Sequence, residues 1–397
     1  MPSYRSLFRT PEFTPLFLAA AAQTAASTMG GLALGTLVYR ATGSPLLSAL
    51  SMFGPALAQV VGATFLLSGS DRLPPRTALS AIAAVFAAGT AFQAVPGLPP
   101  GVLLAVVLLS GLVAALGGGV RWGLLNEILT KDGYLPGRSL INILNGLTQT
   151  VGFATGGLLL ATISPRGCLL IAAALYLTAA LTLRLGLTAR PPRTTGRPSV
   201  AATWHTNAVL WSSRPRRLTY LGLWVPNGLV VGCESLYVSY APESAGTLFA
   251  CGAVGMLAGD VTVGRLLPPA VRARLATPLL LLLAVPYLAF AARPPLPVAV
   301  VCVTVASVGF GASLVQQERL MSLTPDALSG HSLGLHSAGM LTMQGVSAAV
   351  AGSLAQVTSP AAGMALMAGA SVAATLGLAL AGRTPARNTA VRADAEA

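Results

Sequence analysis

Charge is scarce in this chain. Asp, Glu, Lys and Arg together make up 9% of its 397 residues, against about 25% in soluble domains. With 54% apolar residues and a mean hydropathy of +0.73, it cannot cover a water-facing surface with polar groups. Acids number only 11 and form no cluster, which excludes the grouped aspartates that hold Mg²⁺ in membrane prenyl- and phosphotransferases. Lysine occurs once, at Lys131, and no G-x-x-x-x-G-K-[ST] loop is present, which excludes ATP hydrolysis within the chain. The four cysteines (Cys168, Cys233, Cys251, Cys302) lack metal-type spacing and read as small buried hydrophobes. No metal, no cofactor and no enzymatic activity are expected.

What remains is long apolar runs. A helix needs roughly 20 apolar residues to cross a hydrocarbon core, and twelve stretches qualify: 14–37, 46–67, 77–95, 101–120, 140–162, 167–187, 218–240, 245–264, 276–292, 297–315, 332–354 and 361–381. Membrane strands would instead show alternating ten-residue segments. With the N-terminus inside, 21 of the 24 basic residues fall in cytoplasmic segments and three (Arg40, Arg166, Arg293) outside, as the positive-inside rule requires. The net charge of +13 is therefore a topology signal, and no basic face with interleaved aromatics points to nucleic acid. Arg5 and Arg9 precede a run too long for a cleaved signal, so the first span is expected to stay attached. Arginine exceeds lysine 23 to one, and Ala and Gly abound, as a GC-rich bacterial genome would dictate. The expected location is a bacterial plasma membrane, with both termini cytoplasmic.

The chain repeats. Gly62, Arg72, Leu73, Gly137, Ser139 and Leu140 recur 193 residues later as Gly255, Arg265, Leu266, Gly330, Ser332 and Leu333. After a two-residue slip, Gly157, Ser164 and Pro165 recur as Gly352, Ser359 and Pro360. Six is even, so both halves insert the same way, as a parallel repeat about the membrane normal. The expected organisation is an N-terminal six-helix half at 1–187, a cytoplasmic linker at 188–217, a C-terminal six-helix half at 218–382 and a tail at 383–397. In the linker, Trp204, Ala208 and Trp211 fall on one helical face, which fits a helix lying on the leaflet as well as a basic linker without fixed structure.

Twelve spans in two such halves resemble the major facilitator superfamily. The loop Ser68–Arg76 sits where that family keeps G-x-x-x-D-R-x-G-R-R; Asp71, Arg72 and Arg76 match, whereas Leu67 replaces the first glycine and Pro74-Pro75 the later Gly-Arg. The resemblance makes this loop a cytoplasmic gate latch, with Arg265 at the equivalent place and Asp260 a gate partner. The fifth span carries Gly152-Phe153-Ala154-Thr155-Gly156-Gly157, similar to the G-P-x-x-G-G of the exporter branches, with Phe for Pro. Its physical content is close helix approach, which ordinary packing would also use. Asp132 to Arg138 and Thr324-Pro325-Asp326 likewise resemble drug and siderophore exporters. The arginine of many proton-driven members within the fourth span has no counterpart in 101–120, since Arg121 follows that run.

Ionisable groups inside hydrocarbon cost about 2.5–3.5 kcal/mol on insertion scales and are functional suspects. Two acids qualify, Glu234 in the seventh span and Asp260 in the eighth. Trp224, Asn227, Val231 and Glu234 share one face of the seventh span, which the family resemblance places on the central cavity. A carboxylate there can carry a proton or face a cationic substrate; the alternative is a structural bond to Tyr237 or Tyr240. Gln23 and Ser27 add polar groups to the first span. Asn142, Asn145 and Gln149 stripe the fifth, as packing glue or as substrate contacts, and His336 and Gln344 are polar outliers in the eleventh. So few charges suit an apolar, moderately polar or cationic organic molecule better than a sugar or phosphate. The expected function is export of an amphiphilic small molecule (drug, antibiotic or siderophore-like metabolite) by a monomeric secondary transporter exchanging it for protons. Uptake of a small nutrient is the alternative, and a non-transporting membrane sensor or enzyme the second.

Overall fold

The structure, a computed structural model, describes residues 7–70, 73–129, 131–192, 200–325 and 328–383. All regular structure among the described residues is helical, and twelve helices are long and apolar enough to cross a bilayer. The chain is a multi-pass membrane protein. The first six spans are Phe13–Thr42, Pro45–Ser70, Pro75–Gln93, Pro100–Ile128, Lys131–Thr162 and Pro165–Gly186. A linker helix, Val200–Ser212, leads to the seventh span, Arg214–Glu234, which continues after a break as Tyr237–Tyr240. The eighth, Ala245–Val261, ends in a π-helical stretch, Thr262–Leu266; the ninth, Pro269–Ala284, ends in a 3₁₀ stretch, Val285–Ala292. The tenth runs Leu296–Val308 and Ala312–Ser322 around a 3₁₀ turn, and the last two are Ser329–Val357 and Pro360–Arg383.

Proline sets most of the starts. Pro45, Pro75, Pro100, Pro165, Pro269 and Pro360 each open a span, where the ring supplies a helical φ and its missing N–H is no loss. Gly43 closes the first span in the left-handed region, φ 64°, its N–H reaching Tyr39 O at 2.8 Å. Several helices outrun the apolar stretches that announced them. The fourth has 29 residues, about 44 Å at 1.5 Å per residue, more than a hydrocarbon core of about 30 Å. Apolarity marks only the part in lipid; the helix continues through the headgroups.

Packing follows a shift of six. The first span lies on the second, fifth and sixth, the second on the fourth, and the third on the fourth and sixth. Correspondingly, the seventh lies on the eleventh and twelfth, the eighth on the tenth, and the ninth on the tenth and twelfth. Two long contacts join these sets, second with eleventh and fifth with eighth.

The sets interlock at the end where residues 43–44 and 358–359 turn. There Tyr39 Oη donates to Ser239 O at 3.3 Å and Ser44 Oγ to Gln356 Oε1 at 2.9 Å. Both hydrogen bonds described between the sets lie at this end. Phe153 and Phe249 stack nearby, and Gly157 and Gly246 meet backbone to backbone, so that a Cβ on either would strike the other.

The linker helix is docked. Trp211 stacks on Trp224 at 5.6 Å and on Tyr220 at 6.0 Å, while Asn207 Oδ1 meets His331 Nε2 at 2.7 Å. Trp204 stays 63% exposed and Ala208 is exposed. The aromatic face therefore divides, one tryptophan in the protein and one outside.

Candidate functional site

A cavity of about 410 Å³ opens among the first six spans and the eleventh. Its walls come from Gln23, Thr24 and Ser27 of the first span; Phe53 and Gln59 of the second; Phe86, Thr90 and Gln93 of the third; Ser110, Ala114 and Arg121 of the fourth. Gln149 and Phe153 of the fifth, Tyr176 of the sixth and Gln344 of the eleventh complete it. The helices can leave such a space because their crossings use small residues: Gly111 and Gly62 bring the second and fourth spans together so closely that a Cβ on either would collide with backbone.

Among the described residues Arg121 is the one charged group on the cavity wall. The fourth span does not stop at residue 120; it runs seven residues past Arg121 to Ile128. Arg121 therefore lies within the helix and not beyond it. It was misplaced because a charge ended the apolar run while the helix continued. Its Nη2 donates to Gln23 Oε1, tying the fourth span to the first. Glu12 and Glu127, acids at that end of the first six spans, bond elsewhere: Arg190 reaches Glu12 at 2.7 Å and Glu127 at 3.3 Å. Thr188 Oγ1 adds a bond to Glu12 Oε1 at 2.7 Å.

Most wall hydroxyls spend their protons locally. Ser27 and Thr28 donate to Thr24 O, Ser51 to Ser48 O and Ser110 to Val106 O, while Thr24 donates to Asn145 Oδ1. They present lone pairs to the cavity, which the guanidinium of Arg121, the glutamine amides and the hydroxyls of Thr90 and Tyr176 also face.

Of the expected site residues, the cavity brings together Gln23 and Ser27. The seventh-span face lies apart from it. Trp224 is buried in the aromatic stack, its Nε1 donating to His336 O at 3.1 Å. Asn227 faces a separate small void shared with Gln316, and its Oδ1 has no hydrogen-bond partner. Glu234 is 5% exposed at the last turn of its helix, beside Cys233 and Tyr237. The tyrosines expected to bond it are otherwise engaged: Tyr237 Oη pairs with Tyr287 Oη, and Tyr240 Oη donates to Pro294 O at 2.7 Å.

The gate residues are dispersed. Asp71 and Arg72 lie outside the described residues. Arg76 Nε donates to Arg184 O at 2.8 Å, joining the third span to the sixth. Asp260 and Arg265 are both exposed, and among the described residues neither forms an ion pair. The glycines of the fifth span serve two contacts: Gly152 and Gly156 lie against Thr28 and Met29 of the first span, and Gly157 against Gly246 of the eighth. The side chain of Asn142 is outside the described residues.

Gln59, Gln93 and Arg121 were not anticipated. Their signal was present, since each is a polar residue inside or directly abutting an apolar run, the criterion that did flag Gln23 and Gln344.

No family model matches this sequence, and no curated protein matches it. Solved structures do. The nucleoside transporter NupG superposes with a TM-score of 0.69 at 14% identity, over 94% of this chain and 100% of that one. A POT family transporter in complex with a thioalcohol-conjugated peptide gives 0.68 at 11%, over 93% and 95%. A bacterial homologue of the human lysosomal transporter Spinster, inward-facing and unoccupied, gives 0.65 at 13%, over 94% and 95%. The fold is that of the major facilitator transporters. At these identities the likeness carries architecture alone.

Proposed function

We propose that this chain is a secondary transporter that exports an amphiphilic small organic molecule by alternating access, in exchange for protons. The carrying observation is the cavity of about 410 Å³, within the usual range for small-molecule sites, walled by aromatic rings and neutral amides in the middle of the first six spans. The one-ended interlock supports the cycle: Tyr39–Ser239, Ser44–Gln356 and Gly157–Gly246 close one end. In the topology that places the arginine-rich segments inside a bacterial plasma membrane, that closed end is external. The molecule then rests facing inward, with 1–187 and 218–382 as the two rocking bodies of a monomer. The Asp71–Arg76 loop, with Asp260 and Arg265 opposite, would close the inner side in the alternate state.

Among the described residues no acid lines the cavity, so the cationic solute anticipated above would meet no described countercharge there. An unmet carboxyl exists elsewhere, at Glu234, and is the candidate proton carrier. The deciding experiment places the chain in a host lacking its own pumps and measures tolerance to a panel of toxic amphiphiles, with labelled flux in everted vesicles. Raised tolerance with proton-driven accumulation in the vesicles is the expected result. Unchanged tolerance with flux out of the vesicles would replace export by uptake.

A further inference from the structure

The cavity holds one positive charge and, among the described residues, no negative one. Arg121 lines it, and its one described hydrogen bond is to a neutral amide, Gln23. Glu12 and Glu127, the described acids of the first six spans, are held by Arg190. Arg121 lies seven residues before the end of its helix, and a guanidinium enclosed on the cavity wall carries a desolvation cost that a partner charge offsets. Among the described residues none is supplied.

We propose that the substrate supplies it: the cavity binds organic monoanions, a flat apolar body bearing a single carboxylate that pairs with Arg121. The inference deepens the transporter reading and rests on it for the claim that the bound molecule is carried across.

Three features define the class. The planar fork of arginine matches a carboxylate in two parallel hydrogen bonds, the strongest neutralising contact available to it. There is one such fork, so a dianion such as a phosphate monoester would leave one charge unpaired in low dielectric. Around it stand Gln59, Gln149 and Gln344, which orient neutral polar substituents without adding charge. Phe53, Phe86 and Phe153 give the body an aromatic wall. Ser27, Ser110 and Thr24 donate to backbone carbonyls or to Asn145, and the one charged donor among the described wall residues is Arg121, so the anionic end is directed there.

The test uses three probes of one shape and different charge: 2-naphthoate, 2-naphthamide and 2-naphthylmethylammonium, titrated calorimetrically into the purified full chain. Naphthoate is expected to bind at least tenfold more tightly than the other two. Arg121→Gln levels the three, and Arg121→Lys keeps the order at reduced affinity. A second measurement does not depend on Arg121 variants folding. In Ala114→Cys, a cavity-wall position, an anionic methanethiosulfonate is expected to react at least tenfold faster than a cationic one. Rates are corrected for each reagent's reaction with a free thiol and for the native cysteines. Equal or cation-preferring binding, no naphthoate binding at millimolar concentration, or faster labelling by the cationic reagent each overturns the proposal. The two readings fail separately: naphthoate that binds yet never crosses proteoliposomes sinks transport and leaves the anion site, whereas transport without charge preference does the reverse.

Discussion

Gly157 of the fifth span and Gly246 of the eighth lie backbone against backbone, with no room for a methyl group on either. The neighbouring rings of Phe153 and Phe249 stack at 5.1 Å and 13° from parallel. Together they hold the first six spans to the last six at one end. A Gly246→Val substitution must force the spans apart there, and overpacking of this kind costs about 1–3 kcal/mol. Since about 1.4 kcal/mol is a tenfold change in population, the closed state should lose between about fivefold and a hundredfold. Thiol labelling of a cysteine placed at Ser239 reads the result: reactivity is expected to rise about tenfold in the valine variant. Unchanged reactivity would mean that the contact is incidental to closure.

Arg190 predicts a stability effect. It bridges Glu12 and Glu127, and so joins the segment before the first span, the end of the fourth and the exit from the sixth. Glu12 is only 8% exposed, and one of its oxygens already lacks a partner. Removing the guanidinium leaves a mostly buried carboxylate with only the Thr188 hydroxyl, a loss of about 1–3 kcal/mol. Arg190→Gln should therefore lower the thermal midpoint by a few degrees and speed proteolysis after the sixth span. Arg190→Lys should recover part of both. A midpoint unmoved in Arg190→Gln would show the network to be surface decoration.

The spans were legible because lipid contact demands apolarity along a whole helix, and twelve such runs leave little freedom. Their ends were not, since a helix passes into the headgroup layer without changing conformation. That is why Arg121 was read as lying beyond the fourth span when the helix carries seven more residues. The cavity was less legible still. Helices built from Ala, Gly, Val and Leu show little contrast between faces, so packing and not composition decides which side of the seventh span turns inward. Trp224, Asn227 and Glu234 do share a face, yet none of them lines the cavity: Trp224 meets the eleventh span, Asn227 a void walled by the ninth and tenth, and Glu234 the cluster around Tyr237. Gln23 was found because one polar group in an apolar run is informative wherever the helix turns.

Trp211 predicts how firmly the linker is held. Its ring lies 5.6 Å from Trp224 and 11° from parallel, and 6.0 Å from Tyr220. Aromatic pairs contribute about 0.5–1.5 kcal/mol beyond the area they bury. Trp211→Ala should then loosen the linker helix, with tryptic cleavage at Arg217 several-fold faster and the spans intact. Trp204→Ala, at a ring 63% exposed, should change cleavage little. Equal effects from the two would indicate that a lipid surface, and not the stack, holds the helix.

Glu234 is buried beside Cys233, against the cluster of Tyr237, Phe249, Tyr287 and Phe290. Among the described residues no hydrogen bond or cation meets its carboxyl, and the adjacent phenols are committed to each other and to Pro294. A carboxyl retained at such a place against an insertion cost of a few kcal/mol is expected to serve the transport cycle. Glu234→Gln keeps its shape, so the variant should fold with an unchanged thermal midpoint. It should exchange substrate at equilibrium and fail to concentrate it against a gradient when a pH difference is imposed on proteoliposomes. Full concentrative transport by Glu234→Gln would remove this residue from the energy coupling and leave its burial a matter of packing.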